Sequence, residues 1–197
     1  MSIATIDPEH CVDHDAKDVF GFWVYIMTDC ILFASLFAAF LVYHAPGHFG
    51  PSFKPFIELP YVLGETFFLL ASNLTFGLAM IALYRKQDVW LKICLILTFI
   101  LGLGFVAMEV NEFIKLAHTG YSWHMSAAAS SFFVLVGTHG LHVSIGLLWI
   151  AVIFIQLFVK KLQPKMKKRM IYLGLFWNFL DIVWIFLFTI VYLMGAI

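Results

Sequence analysis

The chain has 197 residues, 62% hydrophobic, 18% aromatic and 12% charged, with a mean hydropathy of +0.94. That balance excludes a water-soluble globular domain and identifies a polytopic membrane protein. The formal net charge is zero and the basic residues are confined to short segments between apolar runs, which excludes a nucleic-acid surface.

Residues 1–19 form an acidic segment without the basic start and short apolar run of a cleaved signal peptide, and are expected to be a cytoplasmic tail. His10, Cys11 and His14 in it are read as tail residues rather than metal ligands. Cys30 and Cys94 fall inside apolar runs, so the three cysteines offer neither a zinc spacing nor a disulfide framework.

Five apolar runs follow, at about 20–44, 57–84, 92–115, 130–159 and 170–197, each long enough for a membrane helix at roughly 20 residues per crossing. The predicted fold is therefore all-α, a bundle of five transmembrane helices filling residues 20–197 as one domain. APGHFGPSFKP and HTGYSWH are turn-like connections, whereas YRKQDVWLK and KKLQPKMKKR are basic ones. Lys17, Arg85, Lys86, Lys92 and the six basic residues of 160–169 fall on one side, against Lys54 and Lys115 on the other. Short loops rich in Lys and Arg stay cytoplasmic, which predicts a cytoplasmic N-terminus and a periplasmic C-terminus. Trp23, Trp90 and Trp123 near span ends read as interfacial anchors, and Gly102, Gly104, Gly137, Gly140 and Gly146 as points of close helix approach.

Polar residues inside the spans are costly and carry the functional question. Asp29, Glu65, Glu109, Glu112 and Asp181 lie within spans, with Glu58 at a boundary, while His139 and His142 of GTHGLHV are the basic partners available in the span interiors. Some of these acids must therefore be protonated, solvated or satisfied from outside the chain. Counting helix rise from the outer face, Glu65 and His139 lie about 12 Å deep, His142 about 16 Å, and Glu109 and Glu112 roughly 6 to 10 Å. From the cytoplasmic face Asp29 and Asp181 lie about 13 and 16 Å deep, which brings Asp181 toward His142.

Spacing groups these residues into faces. Glu109 and Glu112 share a stripe with Thr98, Gly102 and Phe105; His139 and His142 share one with Leu135, Gly146 and Trp149; Glu58, Glu65 and Ser72 repeat every seven residues. Each stripe is expected to face the bundle interior. Paired Glu and His at three-residue spacing suggest a di-iron cluster, but the Glu-x-x-His motif of such sites is missing. A proton-transfer chain is the other sharp reading; repeat-related halves and helix breaks, which would favour a transporter, are not visible. The better reading is a structural polar network of Glu65, Glu109, Glu112, His139, His142 and Asp181.

Five segments in series, GFWVYIMTDCILFASLFAAF, IELPYVLGETFFLL, GFVAMEVNEF, SSFFVLVGTHGLHVSIGLLWI and FWNFLDIVWIFLFTIVYLMG, resemble subunit III of the heme-copper oxidases. The likeness runs from Phe20 to the C-terminus and is nearest to the five-helix form that accompanies bacterial bo-type ubiquinol oxidases. It implies a bacterial inner-membrane subunit with no cofactor of its own, packed mainly on a subunit I that carries heme and copper, alongside subunits II and IV. The complex would oxidise ubiquinol and reduce oxygen to water, with this chain supporting stability, phospholipid organisation and sustained turnover. The resemblance also marks Glu58, at the start of the ELP segment, as a lipid- or proton-related residue, and Asp29 inside the first span is a candidate for the same role. One departure stands out: the family's usual Trp-His-Phe is Trp177-Asn178-Phe179 here, and a titratable role cannot pass to Asn178. The related subunit of a cytochrome c oxidase or of a nitric oxide reductase is the neighbouring alternative. An independent transporter or membrane metalloenzyme is the alternative of another class.

Overall fold

The computed structural model describes residues 8–44, 59–118, 127–159 and 164–193. Glu58 and Trp123, and the side chains of His10, Cys11 and His14, lie outside the described residues. Five α-helices run in order: α1 Pro8–His44, α2 Leu59–Tyr84, α3 Asp88–His118, α4 Ala127–Val159 and α5 Pro164–Leu187, the last continuing as a π-helical segment, Phe188–Leu193. All five are long and apolar enough to cross a membrane, and even the 24-residue α5 reaches about 36 Å at 1.5 Å per residue.

Helices α1, α3, α4 and α5 start earlier than the apolar runs alone predict. Helix α1 extends back to Pro8, into the segment expected as a tail, and α5 begins at Pro164 rather than 170. Proline costs nothing at a first helical position, because its missing N–H has no intrahelical acceptor there. Polar helix formers then carry each helix beyond the apolar slab, whose own limits in α1 are Lys17–Tyr43.

Helices α2 and α3 form a tight antiparallel hairpin. Gln87 N–H donates to the Ala82 carbonyl at 3.0 Å and Lys86 N–H to that of Leu83 at 3.2 Å, the paired bonds of a Schellman cap. Lys86 carries the positive φ, 56°, that this cap requires and that glycine usually supplies. Gln87 then caps the next helix through the Leu91 N–H at 3.1 Å, with Asp88 placed favourably in its first turn.

Helices α2 to α5 close into a ring, with α2 also packed on α5, and α1 lies outside it, against α4 and to a lesser extent α5. Only 17% of the α1 span is buried, against 50% of the α5 span, so α5 is the axis of the bundle and α1 its flank. The core is aromatic: Trp177, Trp184, Tyr192, Phe76, Phe105, Phe132 and Phe176 are its largest fully buried side chains.

Glycine makes room for that core. A Cβ on Gly146 would lie 2.8 Å from the Trp177 ring, and one on Gly102 would lie 2.6 Å from Leu147 and 3.3 Å from Trp177. Trp177 of α5 thus lodges in a hollow between α3 and α4. The Gly146→Ala variant is expected to lose about 1–3 kcal/mol through overpacking, read as a lower unfolding temperature in detergent. Lys86→Gly is expected to shift the same transition upward, because a non-glycine residue in the left-handed region costs about 1–2 kcal/mol. A Gly146→Ala transition at or above the parent's would contradict the packing account.

Candidate functional site

The inward stripes read from the sequence are inward. Thr98, Phe105, Glu109 and Glu112 of α3, Leu135 and His139 of α4, and Glu65 and Ser72 of α2 are all buried. Asp29 and Asp181 are buried as well. The polar residues fall into three groups, distributed differently from the single network expected.

The first group joins α2, α3, α4 and the end of α5. Tyr192 donates its hydroxyl to Glu112 Oε2 at 3.0 Å. The π-helical segment that carries Tyr192 widens the final turns of this helix. Glu65, Glu109 and Glu112 lie within electrostatic reach of one another and of Tyr192. Beside them Trp184 donates Nε1–H to Thr66 Oγ1 at 3.0 Å and packs edge-on against Phe105, with ring centres 4.7 Å apart. His139 is fully buried among rings, 5.2 Å from Trp184 and 5.9 Å from Phe105. Neither of its ring nitrogens, nor either Glu65 oxygen, nor Glu109 Oε1 has a hydrogen-bond partner among the described residues.

Glu109 lies level with Gly140, where a Cβ would come within 2.6 Å of both carboxylate oxygens. The depths counted from the sequence set Glu109 shallower than His139. The Glu109 side chain spans the difference, reaching from its own level on α3 to Gly140 on α4. The close approach needs a glycine, so Gly140 serves a carboxylate and not only a helix backbone.

The second group attaches α1. His142 Nδ1 is 2.7 Å from the Thr138 carbonyl, and since a carbonyl only accepts, Nδ1–H is the donor. Nε2 is thereby turned to Asp29, at 3.7 Å from Oδ1. Phe33 packs over both histidines, 5.3 Å from His142 and 6.3 Å from His139.

The third group couples α2, α3 and α5. Asn73 donates Nδ2–H to Asp181 Oδ2 at 2.9 Å. Asp181 is therefore engaged by Asn73, and the partner expected for it, His142, is engaged by Asp29. Rise per residue fixes depth but not the side of the helix, which is why depth alone paired the wrong two groups. Ser72, next to Asn73 on α2, donates to the Thr98 carbonyl at 3.2 Å, and the Thr75 and Thr98 hydroxyls meet at 2.9 Å.

Among the described residues, no three of His, Cys, Asp and Glu converge as a metal site would require. What the arrangement can do is lock helices to one another. Counting only charged groups against the acids leaves out Asn73 and Tyr192, which donate to Asp181 and Glu112, and the neutral pair Trp184 and Thr66. An amide, hydroxyl or indole N–H is an equally good donor; Trp184 and Tyr192 lie in the core, and Thr66 and Asn73 are half-buried beside it.

Comparison with known proteins gives the family. The cytochrome c oxidase subunit III family model matches residues 2–196. The chain is 51% identical over 197 residues to cytochrome bo(3) ubiquinol oxidase subunit 3 of Pseudomonas aeruginosa, covering 97% of this chain and 91% of that protein. It is 42% identical to quinol oxidase subunit 3 of Bacillus subtilis, covering 90% and 87% of the two chains. To cytochrome c oxidase subunit 3 of Bacillus sp. strain PS3 it is 38% identical, covering 96% and 92%.

The Tyr192→Phe variant is expected to cost about 1–3 kcal/mol of stability, since it leaves a buried Glu112 oxygen without its donor. Adding Glu112→Leu is expected to recover part of that loss. A double-mutant cycle on thermal unfolding should then give a coupling of about 0.5–3 kcal/mol, and purely additive effects would show that the bond contributes nothing. By its five membrane helices, its matched segments and these full-length likenesses, the chain belongs to the cytochrome c oxidase subunit III family.

Proposed function

We propose that this chain is subunit III of a bacterial ubiquinol oxidase of the bo type. The observation that carries the reading is the 51% identity over nearly the whole of both chains to a relative named as that subunit. In the complex, ubiquinol is oxidised and oxygen reduced to water at redox centres held by subunit I, its main contact, with subunits II and IV as further neighbours. This chain holds no redox centre and performs no step of the reaction. It is a helical wall that keeps the catalytic subunit seated in the inner membrane, orders phospholipid and prolongs turnover.

The buried groups support that role. Glu112 with Tyr192, Asp181 with Asn73, and Asp29 with His142 each bind two helices together. The excess of Lys and Arg in residues 85–92 and 160–169 supports a cytoplasmic N-terminus and a periplasmic C-terminus. Glu58 and Asp29 are assigned to lipid contact or proton uptake.

The related subunit of a cytochrome c oxidase is the second reading, favoured by the 38% identity to the Bacillus sp. strain PS3 protein. Purifying the tagged chain from its membranes in mild detergent decides between them. Heme absorbance with ubiquinol oxidation is expected; oxidation of cytochrome c but not of quinol would establish the second reading. A colourless, solitary chain would sink both. Within the complex, Glu112→Gln and His142→Ala are expected to leave the initial rate near the parent's and to shorten the lifetime of activity severalfold. Unchanged lifetimes and assembly, singly and together, would rule out the structural role.

A further inference from the structure

On the membrane-facing side of α2 and α5 lies an open groove of about 750 Å³. Its walls are apolar, with Phe67, Leu70 and Leu74 on α2 and Leu175 on α5, and its floor is made shallow by Ala71 and Gly77. Nothing lies within 4 Å of where a Cβ on Gly77 would be, so the backbone of α2 is open to close approach there.

Two carboxamides line this otherwise apolar groove, Asn73 and Asn178. Asn73 gives its N–H to Asp181. Asn178 is exposed, sits at the middle of the span Met166–Tyr192 and makes no hydrogen bond to any described residue. It contrasts with the other polar side chains on the exposed faces of the spans. Thr28, Ser35, Ser144 and Thr189 each return their hydroxyl to a carbonyl one turn back on their own helix, and Asn111 donates to Tyr61. A primary amide is too wide and has too many donor and acceptor sites to be satisfied in that way. Left in hydrocarbon, it would cost several kcal/mol.

We infer that the α2/α5 groove is the seat of a transmembrane helix from another subunit of the complex, one that presents small residues to Gly77 and a hydrogen-bonding side chain to Asn178. This rests on the chain's being a subunit of such a complex. A lipid tail fits the apolar walls but brings no donor or acceptor, and its headgroup lies about 15 Å away at the membrane surface. A helix supplies both kinds of contact that associate helices in lipid, close packing over small residues and an interhelical hydrogen bond.

The test is photo-crosslinking in the intact complex. A photoreactive phenylalanine analogue is placed at Leu74 or at Leu175, the membranes are irradiated, and the purified complex is analysed by mass spectrometry. Adducts from both positions to one transmembrane segment of the same other subunit are expected. In parallel, Asn178→Leu is expected to speed loss of that subunit in mild detergent about three- to tenfold, the range of one intramembrane hydrogen bond, and Asn178→Gln to restore retention. Adducts to lipid or quinol alone, or none at all in a complex that keeps its heme, would overturn the docking inference and leave the subunit assignment standing. Unchanged retention in Asn178→Leu would overturn the hydrogen bond at its centre. A chain that co-purifies with no other subunit would instead defeat the assignment of function, and the inference with it.

Discussion

The structure depends on how closely helices can approach where glycine removes the side chain. In lipid, apolar side chains gain little by leaving the acyl chains for one another, so association rests on dense packing and internal polar contacts. Trp177 shows the packing half of this: its ring fills the hollow between Gly102 on α3 and Gly146 on α4. Gly140 shows the polar half, where the Glu109 carboxylate lies against a bare stretch of α4. The same helix thus receives an indole at one level and a carboxylate about two turns away.

This arrangement fixes which faces the other helices must show. With Trp177 committed to the interior, Trp184 and Tyr192 follow on the same side of α5 and its π-helical continuation, and all three are fully buried. Trp184 then reaches Thr66 on α2, and Tyr192 reaches Glu112 on α3. The outer side of α5, with Asn178, faces away from this core, so the one helix carries both the tightest core contacts and an exposed polar side chain.

Much of this was legible in the residues. Run length and the small set of charged residues identify five spans, and spacing of three, four and seven places Glu65, Ser72, Glu109 and His139 on inner faces, where they are found. Pairing was not legible. Depth along a helix follows from rise per residue, but the choice of neighbour depends on axial stagger and rotation, which a single sequence does not encode in any one residue. Asp181 illustrates it: at a depth that suits His142, it is held by Asn73, a residue no charge count would select. Helix ends were displaced for a related reason, since apolar limits mark the hydrocarbon slab and not where Pro8 and Pro164 allow a helix to start.

The hydrogen bonds and the Asp29–His142 contact among the buried groups link helices that no short connection joins. A three-residue turn already sets α2 against α3. No such turn joins α1 to α4, α2 to α5, or α3 to the end of α5, and these are the pairs bridged by Asp29 with His142, by Asn73 with Asp181 and Trp184 with Thr66, and by Glu112 with Tyr192. Sliding either helix by one residue would break such a contact in a medium with no water to replace it. Apolar packing alone tolerates such a slip far better. Each polar bridge therefore specifies a register, and together they turn a set of individually stable helices into one arrangement.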